Sequence, residues 1–263
     1  MKAYRYESKP MDVKGKVNWN DEEAEVWHHL MTRQLSCIEG KACKEYLDGL
    51  EMLNLPIDQV PQIPDINRVL RDVTGWSLAP VPALIDFDRF FALLANRQFP
   101  VATFLRTRKD MDYLQEPDYF HEIFGHCAML TDPAFAAFTE LYGKLGVNAS
   151  KVERIYLARL YWFTVEFGLT RSGEEFSIYG GGILSSPAET VYAYSDERAF
   201  REPLDIIEVM RTPYRIDILQ PIYFYLEDMS DLYAFSKIDL MACVRKAMSL
   251  GLHKPLYPMK IAQ

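Results

Sequence analysis

The stretch Leu160-Tyr-Trp-Phe-Thr-Val-Glu166-Phe-Gly-Leu169 is apolar almost all the way round and carries a single charge, Glu166. Ile155 to Leu169 is long enough for one helix, and a helix apolar on every side must be buried. A carboxylate inside it costs several kcal/mol unless it is protonated, paired or bound to a metal. The chain must therefore fold so that Glu166 meets a partner. Two partners are open from the residues alone: an arginine (Arg154, Arg159 or Arg171) or a metal ion.

Histidine usage bears on that choice. The chain has five histidines, and two stand close together in Pro117-Asp118-Tyr119-Phe120-His121-Glu122-Ile123-Phe124-Gly125-His126. The His121-Glu122 pair is reminiscent of the H-E-x-x-H zinc motif, in which a four-residue spacing stacks both imidazoles on one helix face. Here the spacing is five, which on a regular helix sets the rings about 140° apart. To share one ion the helix must loosen or end near Gly125, or carry a π-type turn. Two partly buried, hydrogen-bonded histidines without metal remain the alternative. With Glu166 as third ligand, a 2-His-1-carboxylate set suits non-haem Fe(II) that activates O₂.

The remaining sequence bounds the class. At 263 residues, 49% apolar and 25% charged, the chain has the make-up of an ordinary globular enzyme. Its net charge of −8, with no Lys/Arg run longer than two, argues against nucleic acid as a partner. The longest apolar run, Phe90 to Ala95, is far short of the ~20 residues of a membrane span, and no signal peptide is expected. Cys37, Cys43, Cys127 and Cys243 form no C-x-x-C pair, so reduced cytoplasmic thiols are expected. Past an irregular arm over 1–18, caps predict helices starting after Asn20, near Ala42, from Asp65 to Thr74, from Asp86 to Asn96, and from Asp132-Pro133. Ser186-x-x-Glu189 reads as a capping box opening another, and a last helix is predicted over 231–250. An extended segment is expected between Trp76 and Pro82, and a strand over 101–106. The fold class is mostly α with a few short β-strands, as a single catalytic domain over 1–263.

Three motifs in order carry a family resemblance: P-D-x-x-H-E-x-x-G-H, then Y-W-F-T-V-E-F-G-L, then Tyr179-Gly-Gly-Gly-Ile-Leu-Ser-Ser-Pro-Ala-Glu189. The sequence resembles the pterin-dependent aromatic amino acid hydroxylases, densely from Val81 to Glu189 and more faintly at Leu219-Gln220-Pro221-Ile222-Tyr223. Its length resembles the bacterial single-domain phenylalanine 4-hydroxylases, so neither the family's regulatory domain nor its tetramerising helix is expected. The resemblance implies Fe(II) on His121, His126 and Glu166, with tetrahydropterin as cofactor. Glu122 would face the pterin as a catalytic carboxylate, Phe90 would stack on its ring, and Ala83, Leu84, Ile85, Ala158 and Tyr161 would line its pocket. Arg106 would clamp the substrate carboxylate, held by Asp118. Leu114, Pro117, Trp162, Phe167 and Gly182 would wall the substrate, with Ser185 supporting His121.

The implied reaction is hydroxylation of L-phenylalanine to L-tyrosine with O₂, in phenylalanine catabolism, by a cytoplasmic monomer or homodimer. Tyrosine or tryptophan as substrate and a zinc-dependent hydrolase using Glu122 as base are the alternatives, and a binding protein with a structural metal is a third. The residues alone also permit plainer readings: Phe90 in the core, Arg106 as a solvated charge, Ser186 and Glu189 as helix caps. Ala128, Gln115 with Leu114, and Ala83 depart from the family pattern, and none is an expected metal ligand.

Overall fold

Helices begin where the sequence supplies caps. In the computed structural model, which describes residues 6–82, 84–112, 114 and 116–257, α1 covers Asp21–Ile38 behind a capping box of Asn20 and Glu23. Residues 6–18 ahead of it carry no helix or strand, only a bridge between Met11 and Val17. Helix α2 (Lys44–Leu53) ends on Asn54 in the left-handed region, and α3 (Ile63–Val73) is followed by Gly75 at φ +77°. The extended segment after Trp76 is strand β1 (Ser77–Val81), and Asp86 caps α4 (Phe87–Ala95) by accepting the Arg89 N–H.

The next strand is displaced from its expected place. Strand β2 covers Gln98–Ala102, parallel to β1 with Ser77 opposite Gln98. Past Ala102 the chain leaves the ladder: Thr103 exchanges hydrogen bonds with Lys9 of the N-terminal arm, and the Arg106 N–H turns to Asp118. Helix α5 (Pro133–Asn148) starts behind Asp132, and α6 (Lys151–Tyr161) behind a Ser150–Glu153 capping box.

The predicted helix over 155–169 does not run its length as an α-helix. After α6 the residues Trp162–Glu166 form a π turn, and the chain then becomes strand β3 (Gly168–Ser172). It pairs antiparallel with β4 (Glu175–Ile178), and a short helix α7 (Gly181–Leu184) follows. Helix α8 (Pro187–Ser195), strand β5 (Phe200–Pro203), helix α9 (Ile206–Arg211) and strand β6 (Ile222–Leu226) complete a mixed sheet in the order β4-β3-β6-β5. The last helix is two: α10 (Ser230–Phe235) and α11 (Leu240–Leu250). Asp239 accepts the Ala242 N–H and so caps a fresh start where one continuous helix was expected.

The fold is mostly α with short strands, and one cluster of buried side chains extends from Val26 to Ala247. No helix among the described residues is long and apolar enough to cross a membrane.

Candidate active site

Both segments that bring the three expected metal ligands together are π-helical. His121–Cys127 is a π turn, as is Trp162–Glu166, closed by the Phe167 N–H on the Trp162 carbonyl at 2.8 Å. Bonding between i and i+5 brings residues five apart onto neighbouring positions of one face, which an α-helix cannot do for His121 and His126. Such a turn leaves carbonyls to be satisfied from outside the ladder. The Tyr46 hydroxyl donates to the Phe124 carbonyl at 2.6 Å, and the Cys127 thiol to the Glu122 carbonyl at 3.4 Å. Helix α7 crosses so closely that a Cβ on Gly181 would stand 2.4 Å from the His126 ring, and one on Gly125 would stand 2.7 Å from the Gly181 carbonyl. Glycine at both positions lets the backbones touch.

His121, His126 and Glu166 each offer one ligand atom, all within 4.8 Å of one another. The two Nε2 atoms are 3.1 Å apart, and Glu166 reaches them at 3.7 Å and 3.4 Å. The arginine alternative fails. Arg154 pairs with Asp88, Arg171 with Glu227, and Arg159 donates to the Ile155 carbonyl.

Protonation states follow from the surroundings. Ser185 Oγ donates to the Gly181 carbonyl at 2.8 Å, so towards His121 Nδ1, 2.9 Å away, it can only accept. His121 therefore carries its proton on Nδ1 and turns the Nε2 lone pair inward. Burial pushes His121 down to about 4, against the pull of Glu166, so an ion pair between them at neutral pH is opposed. Burial works to raise the Glu166 carboxyl, but the adjacent His126, with His121, outweighs it and keeps it below the usual glutamate value. The inward lone pair of His121, the facing His126 ring and the Glu166 carboxylate are a donor set for a divalent cation, and among the described residues these three are the one such set.

The other expected residues fall around this centre. Arg106 is buried, not solvated. Its Nε and Nη2 meet the two oxygens of fully buried Asp118 at 2.8 and 2.9 Å. Asp118 also accepts the backbone N–H groups of Arg106 and His121, each at 3.0 Å. Among the described residues the opposite Nη1/Nη2 edge of Arg106 has no side-chain or carbonyl partner. Glu122 is 9% exposed, and among the described residues its carboxylate has no hydrogen bond. Burial first, then Glu166 and Asp118, push it well above the usual range.

Phe90 is half-buried and meets Tyr161 edge-on at 5.4 Å, and Phe167 stacks on Trp162 at 4.5 Å. A Cβ on Gly182 would press on Phe167 at 2.9 Å. Leu114 packs with Tyr6 against Ala102 and Phe104, and Leu84 is exposed, whereas Ile85, Pro117 and Ala158 are half-buried. Ala83 and Gln115 lie outside the described residues.

Sequence reasoning missed two neighbours. Tyr214 stacks on the far face of Trp162 at 4.3 Å, and Gln220 accepts the Trp162 indole N–H at 3.2 Å. The one available signal was the Leu219–Tyr223 motif. Glu189 is also corrected. Ser186 caps α8, but the Glu189 carboxylate does not return to complete a capping box; it is buried and accepts the Gln220 N–H and the Tyr223 hydroxyl.

The sequence profile described as biopterin-dependent aromatic amino acid hydroxylase matches residues 2–247. The phenylalanine-4-hydroxylase of Vibrio cholerae is 60% identical over 259 residues, 98% of this chain and 90% of that one. The apo structure of the cold-active phenylalanine hydroxylase from Colwellia psychrerythraea 34H matches with a TM-score of 0.95 at 54% identity, covering 98% of this chain and 100% of that one. Phenylalanine hydroxylase from Chromobacterium violaceum, solved with bound oxidised Fe(III), matches with a TM-score of 0.87 at 39% identity, covering 94% and 89%.

Proposed function

This chain belongs to the biopterin-dependent aromatic amino acid hydroxylases, and from that premise we infer that it is a phenylalanine 4-monooxygenase, converting L-phenylalanine to L-tyrosine with O₂, iron and a tetrahydropterin. The observation that carries the reading is the convergent His121–His126–Glu166 set, with every candidate arginine engaged elsewhere. These three residues would hold Fe(II). When bound, the metal and the tetrahydropterin supply the reduction of O₂ that no side chain can provide, one oxygen atom going to the para carbon of the ring and the other to the pterin.

The chain's own groups bind, orient and exclude water. Asp118 takes one edge of the Arg106 guanidinium and thereby aims the Nη1/Nη2 edge at the substrate carboxylate, a planar fork meeting a planar acceptor. The stacked Trp162 and Phe167 would wall the aromatic ring with Pro117, Leu114 and Gly182. Ser185 keeps the His121 proton on Nδ1 and so keeps Nε2 available. Glu122, raised and without a partner among the described residues, would position the pterin and hold a proton beside it. Phe90, set edge-on against Tyr161, would stack on the pterin ring, with Leu84, Ile85 and Ala158 beside it.

We further read the chain as one catalytic unit, a monomer or homodimer working in the cytoplasm in phenylalanine catabolism. The test is direct. Protein loaded anaerobically with Fe(II) and given phenylalanine, tetrahydropterin and O₂ should form tyrosine. No tyrosine, or equal turnover with zinc in place of iron, would refute the reading.

A further inference from the structure

The Leu219–Tyr223 motif has no role in the site described above, yet Gln220, its second residue, is 1% exposed and makes four hydrogen bonds. Its backbone N–H donates to Glu189 Oε1 at 3.0 Å. Its side-chain NH₂ donates to the carbonyls of Arg215 at 2.8 Å and Ile218 at 2.9 Å, which fixes which end of the amide is oxygen. Flipping the amide would set oxygen against two carbonyls and NH₂ against the indole N–H. Gln220 Oε1 is thus committed to the Trp162 Nε1–H.

Trp162 is held in its remaining directions by rings. Phe167 stacks on one face at 4.5 Å and 28°, and Tyr214 on the other at 4.3 Å and 14°. The sandwich blocks motion along the ring normal but not sliding or rotation in the ring plane. The indole hydrogen bond opposes those. Glu189 extends the support, because its carboxylate joins α8 to the Gln220 backbone and to the Tyr223 hydroxyl of β6.

We propose that Gln220 is a positioning residue that sets the aromatic wall of the substrate pocket through the Trp162 indole N–H, and so helps select a six-membered ring over an indole. This rests on the reading above that Trp162 walls the substrate ring. A pocket whose wall is fixed discriminates by fit, and one whose wall slides admits the larger ring.

The experiment compares iron-loaded wild type with Gln220→Leu, which removes the acceptor at near-constant volume. Loss of the indole hydrogen bond, together with the two amide donations to the Arg215 and Ile218 carbonyls, should raise KM for phenylalanine about three- to tenfold, with kcat changing far less. The preference for phenylalanine over tryptophan, as a ratio of kcat/KM values, should fall by a similar factor, while iron content and KM for tetrahydropterin stay the same. Gln220→Glu keeps an oxygen facing the indole and, when protonated, one donation towards the Arg215 and Ile218 carbonyls, so it should retain more of the preference than Gln220→Leu. In a Trp162→Phe background, with no indole N–H, the effect of Gln220→Leu on the preference should shrink to what the lost Arg215 and Ile218 bonds contribute.

Unchanged KM and preference in Gln220→Leu would overturn the proposal, as would an undiminished effect in the Trp162→Phe background. If Gln220→Leu does not fold, Trp162→Phe decides, since wild-type preference without the indole would equally overturn it. A wild type that forms no tyrosine would instead refute the functional reading itself.

Discussion

Asp118 Oδ1 accepts the backbone N–H of His121 at 3.0 Å. The carboxylate that grips the Arg106 guanidinium therefore also anchors the start of the π turn carrying the first ligand of the metal set. The proposed substrate carboxylate site and metal site would thus share one fully buried group. Arg106→Lys separates the two roles. It keeps the charge but loses the fork, so phenylalanine affinity should fall about tenfold or more while iron stays near stoichiometric. Kinetics with parallel metal analysis checks it, and unchanged KM would contradict the assignment of Arg106.

Removing a ligand should remove the metal. His121→Ala and Glu166→Gln are expected to lose iron on gel filtration and to consume no O₂ with pterin and phenylalanine. Chelation of the wild type should abolish tyrosine formation, and Fe(II) should restore it. Binding to the folded state alone predicts that Fe(II) at about 100 times its Kd stabilises wild type by about 2.7 kcal/mol and His121→Ala not at all. A variant that keeps stoichiometric iron and full turnover would disprove the triad.

Glu122→Gln removes the titratable carboxyl proton and keeps the shape. Iron content should stay near wild type, pterin affinity should weaken, and tyrosine formed per pterin oxidised should drop. Separate measurement of the two products decides. Loss of iron would make Glu122 a ligand, and unchanged kinetics would leave it without a role.

Acid stability should report the Asp118–Arg106 pair. Burial works against the Asp118 charge, but Arg106 and the His121 and Arg106 N–H groups hold its carboxyl below the ordinary 3.8. The unfolded chain then takes up that proton first as pH falls, so the pair's stabilisation is present above about pH 4 and is lost as pH drops through the lower folded value. Denaturant melts from pH 6 to 3 should show this loss in wild type and its absence in Asp118→Asn. The variant should also be less stable at pH 6 by about 3–5 kcal/mol, because a buried guanidinium loses its counter-charge.

Gly181→Ala probes the approach of α7 to His126. A Cβ 2.4 Å from the ring must displace it, so iron affinity should fall with secondary structure intact. Calorimetric Fe(II) titration and circular dichroism together test this.

Much of this protein was determined locally by its sequence. Asn20, Asp86, Asp132 and Ser150 start helices because a side chain two or three residues from a free N–H can satisfy it without tertiary help. A lone carboxylate in an apolar run likewise demanded a partner, and the five-residue spacing of His121 and His126 required a loosened or π-type turn for both to hold one ion. Other features were decided only by chain segments distant in sequence. Strand β2 stops at Ala102 because Lys9 and Asp118 compete for the next backbone groups. Glu189 leaves its own helix start because Gln220 and Tyr223, 31 and 34 residues on, offer buried donors. Whether Glu166 met an arginine or two imidazoles rested on bringing the Trp162–Glu166 turn to the His121–Cys127 turn. Capping is short-range and legible from neighbours, whereas the partner of a buried polar group is whichever complement the packed chain brings within 3 Å, and local spacing does not encode that.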